Sequence, residues 1–187
     1  MEAFLISTGL VALAEIGDKT QLLALLLTAR FRQPGLIVAG ILVATLLSHA
    51  AAAGLGMLLA AWITANVLRW ILGIGFLAMA VWMLIPDRVD DDEVAPTRSR
   101  WGVFGTTTAL FFLAEIGDKT QVATVALAAQ YQTWLAVMLG TTLGMMLTNA
   151  PAVWLGERMA HRLPVRAIHL GAAALLAVLG AWTLIGT

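Results

Sequence analysis

Leu13-Ala14-Glu15-Ile16-Gly17-Asp18-Lys19-Thr20-Gln21 returns letter for letter as Leu113-Ala114-Glu115-Ile116-Gly117-Asp118-Lys119-Thr120-Gln121. Each copy sets two carboxylates and a lysine inside sequence that otherwise reads as lipid-soluble helix. A charged side chain at a bilayer centre costs about 2.5–3.5 kcal/mol even on the lenient insertion scale. Glu15, Asp18, Lys19, Glu115, Asp118 and Lys119 together would cost roughly 15–20 kcal/mol if they faced lipid. They must turn inward, toward one another or toward an ion.

The surrounding composition fixes the class. Of 187 residues, 60% are hydrophobic and 12% charged, and the mean hydropathy is +0.90, which lies outside the range of soluble domains and defines an all-α integral membrane protein. The formal net charge is zero, so nothing points to nucleic acid or to an acidic partner. There is no cysteine, which excludes disulfides and thiolate metal sites. Met1-Glu2-Ala3-Phe4 lacks the basic start of a signal peptide, and the apolar run it opens carries the motif, so this run is expected to be a retained first span.

A helical span needs about 20 apolar residues. Candidate spans cover residues 3–29, 35–63 and 67–85, then 101–129, 134–155 and 165–186. The first ends at Arg30-Phe31-Arg32-Gln33-Pro34 and the third at Pro86-Asp87-Arg88. Residues 87–100, with the acidic run Asp90-Asp91-Asp92-Glu93, form the one aqueous linker. The halves, 1–86 and 101–187, correspond at a constant offset of 100: Thr8 with Thr108, Gly40 with Gly140, Ser48-His49 with Thr148-Asn149, Gly56 with Gly156, and Trp82 with Trp182. Three spans per half is an odd number. The expected architecture is therefore six transmembrane helices in two inverted-topology three-helix repeats, with a site at the repeat interface near the midplane.

Arginine placement sets the expected orientation. The loops at 30–33, 87–100 and 157–166 share one side and carry Arg30, Arg32, Arg88, Arg98, Arg100, Arg158, Arg162 and Arg166, against Arg69 alone on the other. By the positive-inside rule the linker is cytoplasmic and both termini lie outside. Trp62, Trp70, Trp101, Trp134 and Trp182 fall near span ends, as interfacial anchors do.

On a continuous helix Glu15, Asp18 and Lys19 share one face, which Gln21 and Thr8 extend. Gly17 lets another backbone approach or lets the helix break, freeing carbonyl oxygens. Two such helices together offer four carboxylates and two ammonium groups, a formal sum of −2. One divalent cation neutralises it, and so do two protons, which is the electrostatic requirement of a cation/proton exchanger. The donors are oxygens, with His49 the only nearby nitrogen, and hard donors favour Ca²⁺, Mn²⁺ or Mg²⁺ over Zn²⁺ or Cu⁺.

Glu-x-Gly-Asp-Lys-Thr at two equivalent positions, in the first helix of each half and with a short acidic linker between, resembles the calcium/manganese:proton antiporter family of the Golgi, chloroplasts and bacterial manganese exporters. The resemblance covers nearly the whole chain. It implies that Glu15, Asp18, Glu115 and Asp118 are the ion ligands and that Lys19, Thr20, Lys119 and Thr120 complete the signature. It implies export of Mn²⁺ or Ca²⁺ from the cytoplasm in exchange for protons. The partners are then membrane lipid, the cation and protons, with no resident cofactor and no enzymatic step. A bacterial-type inner membrane suits so compact a chain, and self-association into a homo-oligomer is compatible with it.

Blander readings compete. Glu15–Lys19 and Glu115–Lys119 at i, i+4 would form structural clamps, but both aspartates would be left over. Ser48, His49, Thr148 and Asn149 line a path or make interhelical hydrogen bonds, and Gln121 repeats the role of Gln21. His161 and His169 read as interfacial, the acidic run as a solvated linker, and the methionines as scattered packing. An intramembrane aspartyl protease would also place two aspartates on separate helices, yet a lysine beside each opposes the shared proton such a dyad needs. A passive cation channel is opposed by the midplane lysines.

Overall fold

The computed structural model describes residues 1–85, 102–155 and 165–185. The linker at 87–100, Trp101, Gly156, Arg158, Met159, His161 and Arg162 lie outside the described residues. The described chain is helical throughout: α1 (Glu2–Glu15), α2 (Lys19–Phe31), α3 (Pro34–Trp62), α4 (Ala65–Met83), α5 (Gly102–Glu115), α6 (Lys119–Tyr131), α7 (Trp134–Leu155) and α8 (Val165–Ile185).

The unbroken helices expected over 3–29 and 101–129 are each two half-helices. The chain leaves α1 at Glu15 and re-enters a helix at Lys19, and it does the same between Glu115 and Lys119. The cause is local. Gly17 and Gly117 adopt φ of 81° and 75°, a left-handed conformation that ends helices and that glycine takes without steric cost. Asp18 and Asp118 follow in extended conformation as N-caps of α2 and α6, the position Asp favours. At about 1.5 Å per residue, each 13- or 14-residue piece is near 20 Å long, short of the roughly 30 Å hydrocarbon core. The one-face arrangement of Glu15, Asp18 and Lys19 on a straight helix is thereby replaced by a turn that carries them. α3, α4, α7 and α8 are the four described helices long and apolar enough to cross a membrane.

Polarity is inverted relative to a soluble domain. Leu5, Leu22, Leu47, Leu55, Leu135, Leu147 and Val178 are exposed, while Ser7, Glu15, Asp18, Thr20, Thr45, His49, Glu115, Asp118, Thr120 and Asn149 are buried. Packing exchanges elements between the halves: α1 lies on α7, α3 on α5, and α4 on α8. Small residues permit the approach. A Cβ on Gly140 would sit 2.6 Å from the Phe4 carbonyl oxygen, one on Gly40 would sit 2.8 Å from Thr107 Cβ, and one on Gly180 would sit 2.9 Å from the Gly73 carbonyl oxygen. Gly40 and Gly140 thus serve the same contact in the two halves.

The exchange is not fully symmetric. α6 lies along α3, where a Cβ on Gly56 would collide with the Val125 carbonyl oxygen, and it buries Ala123, Thr124, Ala126, Leu127, Ala128 and Ala129. α2 leaves Leu22 and Leu26 exposed.

Candidate functional site

Because α1 and α5 end at Glu15 and Glu115, their carbonyl ends, which carry the negative pole of each helix, finish at the two motifs. The breaks bring the motifs together. One carboxylate oxygen each from Glu15, Asp18 and Asp118 lie within 4.8 Å of one another, all three side chains being buried. That spacing suits several oxygens converging on a hard divalent ion bound at about 2.0–2.6 Å. Glu115 is fully buried but stands outside this group, held by a hydrogen bond from Thr45 Oγ1 at 2.7 Å.

Identical motifs make different bonds. Thr20 Oγ1 donates to Glu15, whereas Thr120 donates to Asp118 Oδ2 from its backbone N–H at 3.2 Å and from Oγ1 at 3.0 Å. Gln21 and Gln121 act alike, their Oε1 atoms accepting from Gly17 N–H at 2.9 Å and Gly117 N–H at 2.8 Å. Each glutamine therefore fastens its own break. Gln121 also donates to Ser48 Oγ at 3.1 Å.

The lysines part company most clearly. Lys19 crosses between motifs to Asp118 Oδ1 at 3.4 Å. Lys119 donates to the Ile85 carbonyl just beyond the end of α4, at 2.8 Å, and lies 6.0 Å from the Trp82 ring centroid. The i, i+4 clamp considered from the sequence is not formed between Glu15 and Lys19, because the break destroys the helical register such a pair requires. Around the cluster, three carboxylates and Lys19 leave a formal sum of −2, the same sum that the two whole motifs give.

The polar pairs of the second helix in each half are placed unequally. Asn149 Nδ2 donates to Glu15 Oε1 at 3.4 Å and to the Met145 carbonyl at 3.2 Å. Its counterpart His49 is fully buried, with no partner for either ring nitrogen among the described residues. Ser48 joins the second motif through Gln121, while Thr148 Oγ1 is spent on the Met145 carbonyl of its own helix at 2.9 Å.

Two residues at the site escape the sequence reading. Thr45 is one turn before Ser48 and His49, on their face of α3, and that spacing is the signal that finds it. His169, read from the sequence only as interfacial, has its Nε2 2.8 Å from the Ile16 carbonyl oxygen, inside the first break. No local signal marks it, since the contact spans 153 positions.

Apolar helices with exposed hydrocarbon, two of them interrupted beside a buried carboxylate cluster, are the features of an integral membrane transporter. The family model for the divalent cation/proton antiporter GDT1 matches residues 3–91 and 103–187, and the chain belongs to that family. A protein of Vibrio cholerae serotype O1 named "Putative manganese exporter" is 49% identical over 176 residues, covering 94% of this chain and 86% of its own length. GDT1-like protein 3 of Oryza sativa subsp. indica is 26% identical over 192 residues, covering 89% of this chain and 68% of its own. GDT1-like protein sll0615 of Synechocystis is 38% identical over 86 residues, or 44% of this chain and 41% of its own. No solved structure matches the chain.

Proposed function

We propose that this antiporter exports Mn²⁺ from the cytoplasm in exchange for protons, with Glu15, Asp18 and Asp118 as the first ligands of the ion and Glu115 as a fourth carboxylate that joins or relays protons. The observation that carries the reading is the convergence of carboxylates from both motifs within 4.8 Å. The local formal charge of −2 is cancelled equally by one divalent ion or by two protons. Only the neutral forms cross a low-dielectric interior cheaply, which couples the two fluxes. Choosing Mn²⁺ over Ca²⁺ rests on the name of the Vibrio cholerae relative, since hard oxygen donors serve both.

The transmembrane plan that fits is six spans in two inverted repeats, residues 1–86 and 101–187, joined by a cytoplasmic linker at 87–100, with α1–α2 and α5–α6 as broken spans. Pairs of interrupted helices in corresponding positions are the usual mark of a transporter site. Both termini would lie outside a bacterial-type inner membrane. Thr20, Thr120, Gln21, Gln121, Ser48 and Asn149 would position the carboxylates and the breaks.

In proteoliposomes, an imposed pH gradient should drive Mn²⁺ uphill, and added Ca²⁺ should compete weakly. Mn²⁺ flux that ignores the pH gradient would instead identify a channel. Equal or stronger transport of Ca²⁺ would reverse the choice of ion.

A further inference from the structure

The repeats treat their two breaks differently at one contact. At the first break, the start of α8 sits on the turn. His169 Nε2 is 2.8 Å from the Ile16 carbonyl oxygen, and a Cβ on Gly17 would lie 2.6 Å from Val165 Cγ1. A carbonyl can only accept, so Nε2 carries the proton. At the offset of 100, Val165 and His169 correspond to Ala65 and Arg69 of α4. These do not cover the second break. Arg69 lines a cavity of about 420 Å³ with Gln130, Gln132 and Thr183, and among the described residues nothing lies within 4 Å of a Cβ built on Gly117. The second break is instead tied to the far end of α4, through Lys119 and the Ile85 carbonyl.

We propose that His169, with Val165, is a positioning latch: α8 holds the first break shut by engaging the Ile16 carbonyl, one residue from Glu15, and must release it for the site to open on that side. The Ile16 carbonyl belongs to the interrupted end of α1, where backbone acceptors lack helical partners, so the donor both satisfies that oxygen and fixes the turn that aims Glu15. α8 is packed on α4 through Gly73, Gly180 and Leu77, and the chain just beyond α4 holds Lys119. The α4–α8 pair therefore touches both motifs, and release at one is felt at the other through a single packed unit. His169 engages a backbone carbonyl rather than the carboxylate cluster, which distinguishes it from a ligand.

Thiol accessibility tests the latch without transport, because the chain contains no cysteine and Ile16→Cys then introduces the sole target while the backbone carbonyl at that position is kept. In nanodiscs, His169→Ala should raise the reaction rate of the introduced thiol with a membrane-impermeant maleimide by about fivefold, the scale of one net hydrogen bond. His169→Gln, which keeps an N–H donor at similar reach, should return it to within about twofold. An unchanged rate in folded His169→Ala, or a Gln variant as fast as Ala, overturns the latch. Should His169→Ala not fold, Val165→Ala removes the contact over Gly17 and must give the same rise, and no rise there overturns it equally. A second arm rests on the exchange reading: in Mn²⁺-free proteoliposomes His169→Ala should leak protons faster than the parent. Faster thiol reaction without a leak keeps the latch and counts against proton exchange.

Discussion

Asp118 is the residue on which competing charges meet. Its Oδ1 faces Lys19 at 3.4 Å while its Oδ2 is held by Thr120, so a divalent ion bound there, as proposed, would displace an ammonium group. Lys19→Met should therefore raise Mn²⁺ affinity, by roughly tenfold if the displacement costs about 1.4 kcal/mol. Lys119→Met, which removes the bond to the Ile85 carbonyl rather than the Lys19–Asp118 ion pair, should raise affinity less and should lower thermal stability. Equal effects of the two lysine changes on a Mn²⁺ titration would sink this distinction. Among the acids, Glu15→Gln, Asp18→Asn or Asp118→Asn leaves a residual positive charge on the occupied cluster. At about 3 kcal/mol that is a loss of roughly a hundredfold in Mn²⁺ binding. Glu115→Gln should cost about tenfold or less, since Glu115 stands outside the three-oxygen group; calorimetric titration ranks all four. The sequence made the six charges conspicuous but could not separate them. Two identical nonapeptides carry no information about which lysine bonds to the Ile85 carbonyl, just beyond α4 and beside Trp82.

At the scale of the element, the break decides everything downstream. Gly-Asp was readable: a residue suited to a helix C-terminus stands directly before one suited to an N-cap. The apolar run on both sides outweighed it, because hydropathy counts residues and is blind to a turn hidden in the middle. The two glycines bear different loads. Ala at position 117 needs only the left-handed conformation, about 1–2 kcal/mol, for nothing lies within 4 Å of its Cβ among the described residues. Ala at position 17 adds a clash with Val165 Cγ1 at 2.6 Å. Gly17→Ala should lower the melting temperature more than Gly117→Ala in a detergent melt. Equal shifts would mean that α8 does not press on the first break. Thr45 illustrates the same limit on reading elements alone, since its partner Glu115 is 70 positions away.

Across the whole molecule, several of the polar bonds that organise the cluster pass from one repeat to the other. Lys19 reaches Asp118, Asn149 reaches Glu15, Thr45 holds Glu115 and Gln121 reaches Ser48, while α1 packs on α7 and α3 on α5. The internal duplication was legible at once as an offset of 100, and with it the idea of a shared site; the inequality of the halves was not, because it arises from packing between copies whose motifs are identical. Neither half contains the whole carboxylate cluster, since residues 1–86 supply Glu15 and Asp18 but not Asp118, and residues 101–187 supply Asp118 but lack the other two. Nor does either half have a partner for its own small-residue faces, so Gly40 or Gly140 would be left without the helix it was shaped to meet. Residues 1–86 and 101–187 expressed as separate chains should accordingly bind Mn²⁺ only when produced together. The two should co-purify through one tagged half and bind with an affinity within about tenfold of the intact chain, a linker contributing mainly effective concentration. Either half alone should show no saturable Mn²⁺ binding. Saturable binding by an isolated half would mean that each motif is a site in its own right, and the cross-repeat bonds would then serve only to hold the fold together.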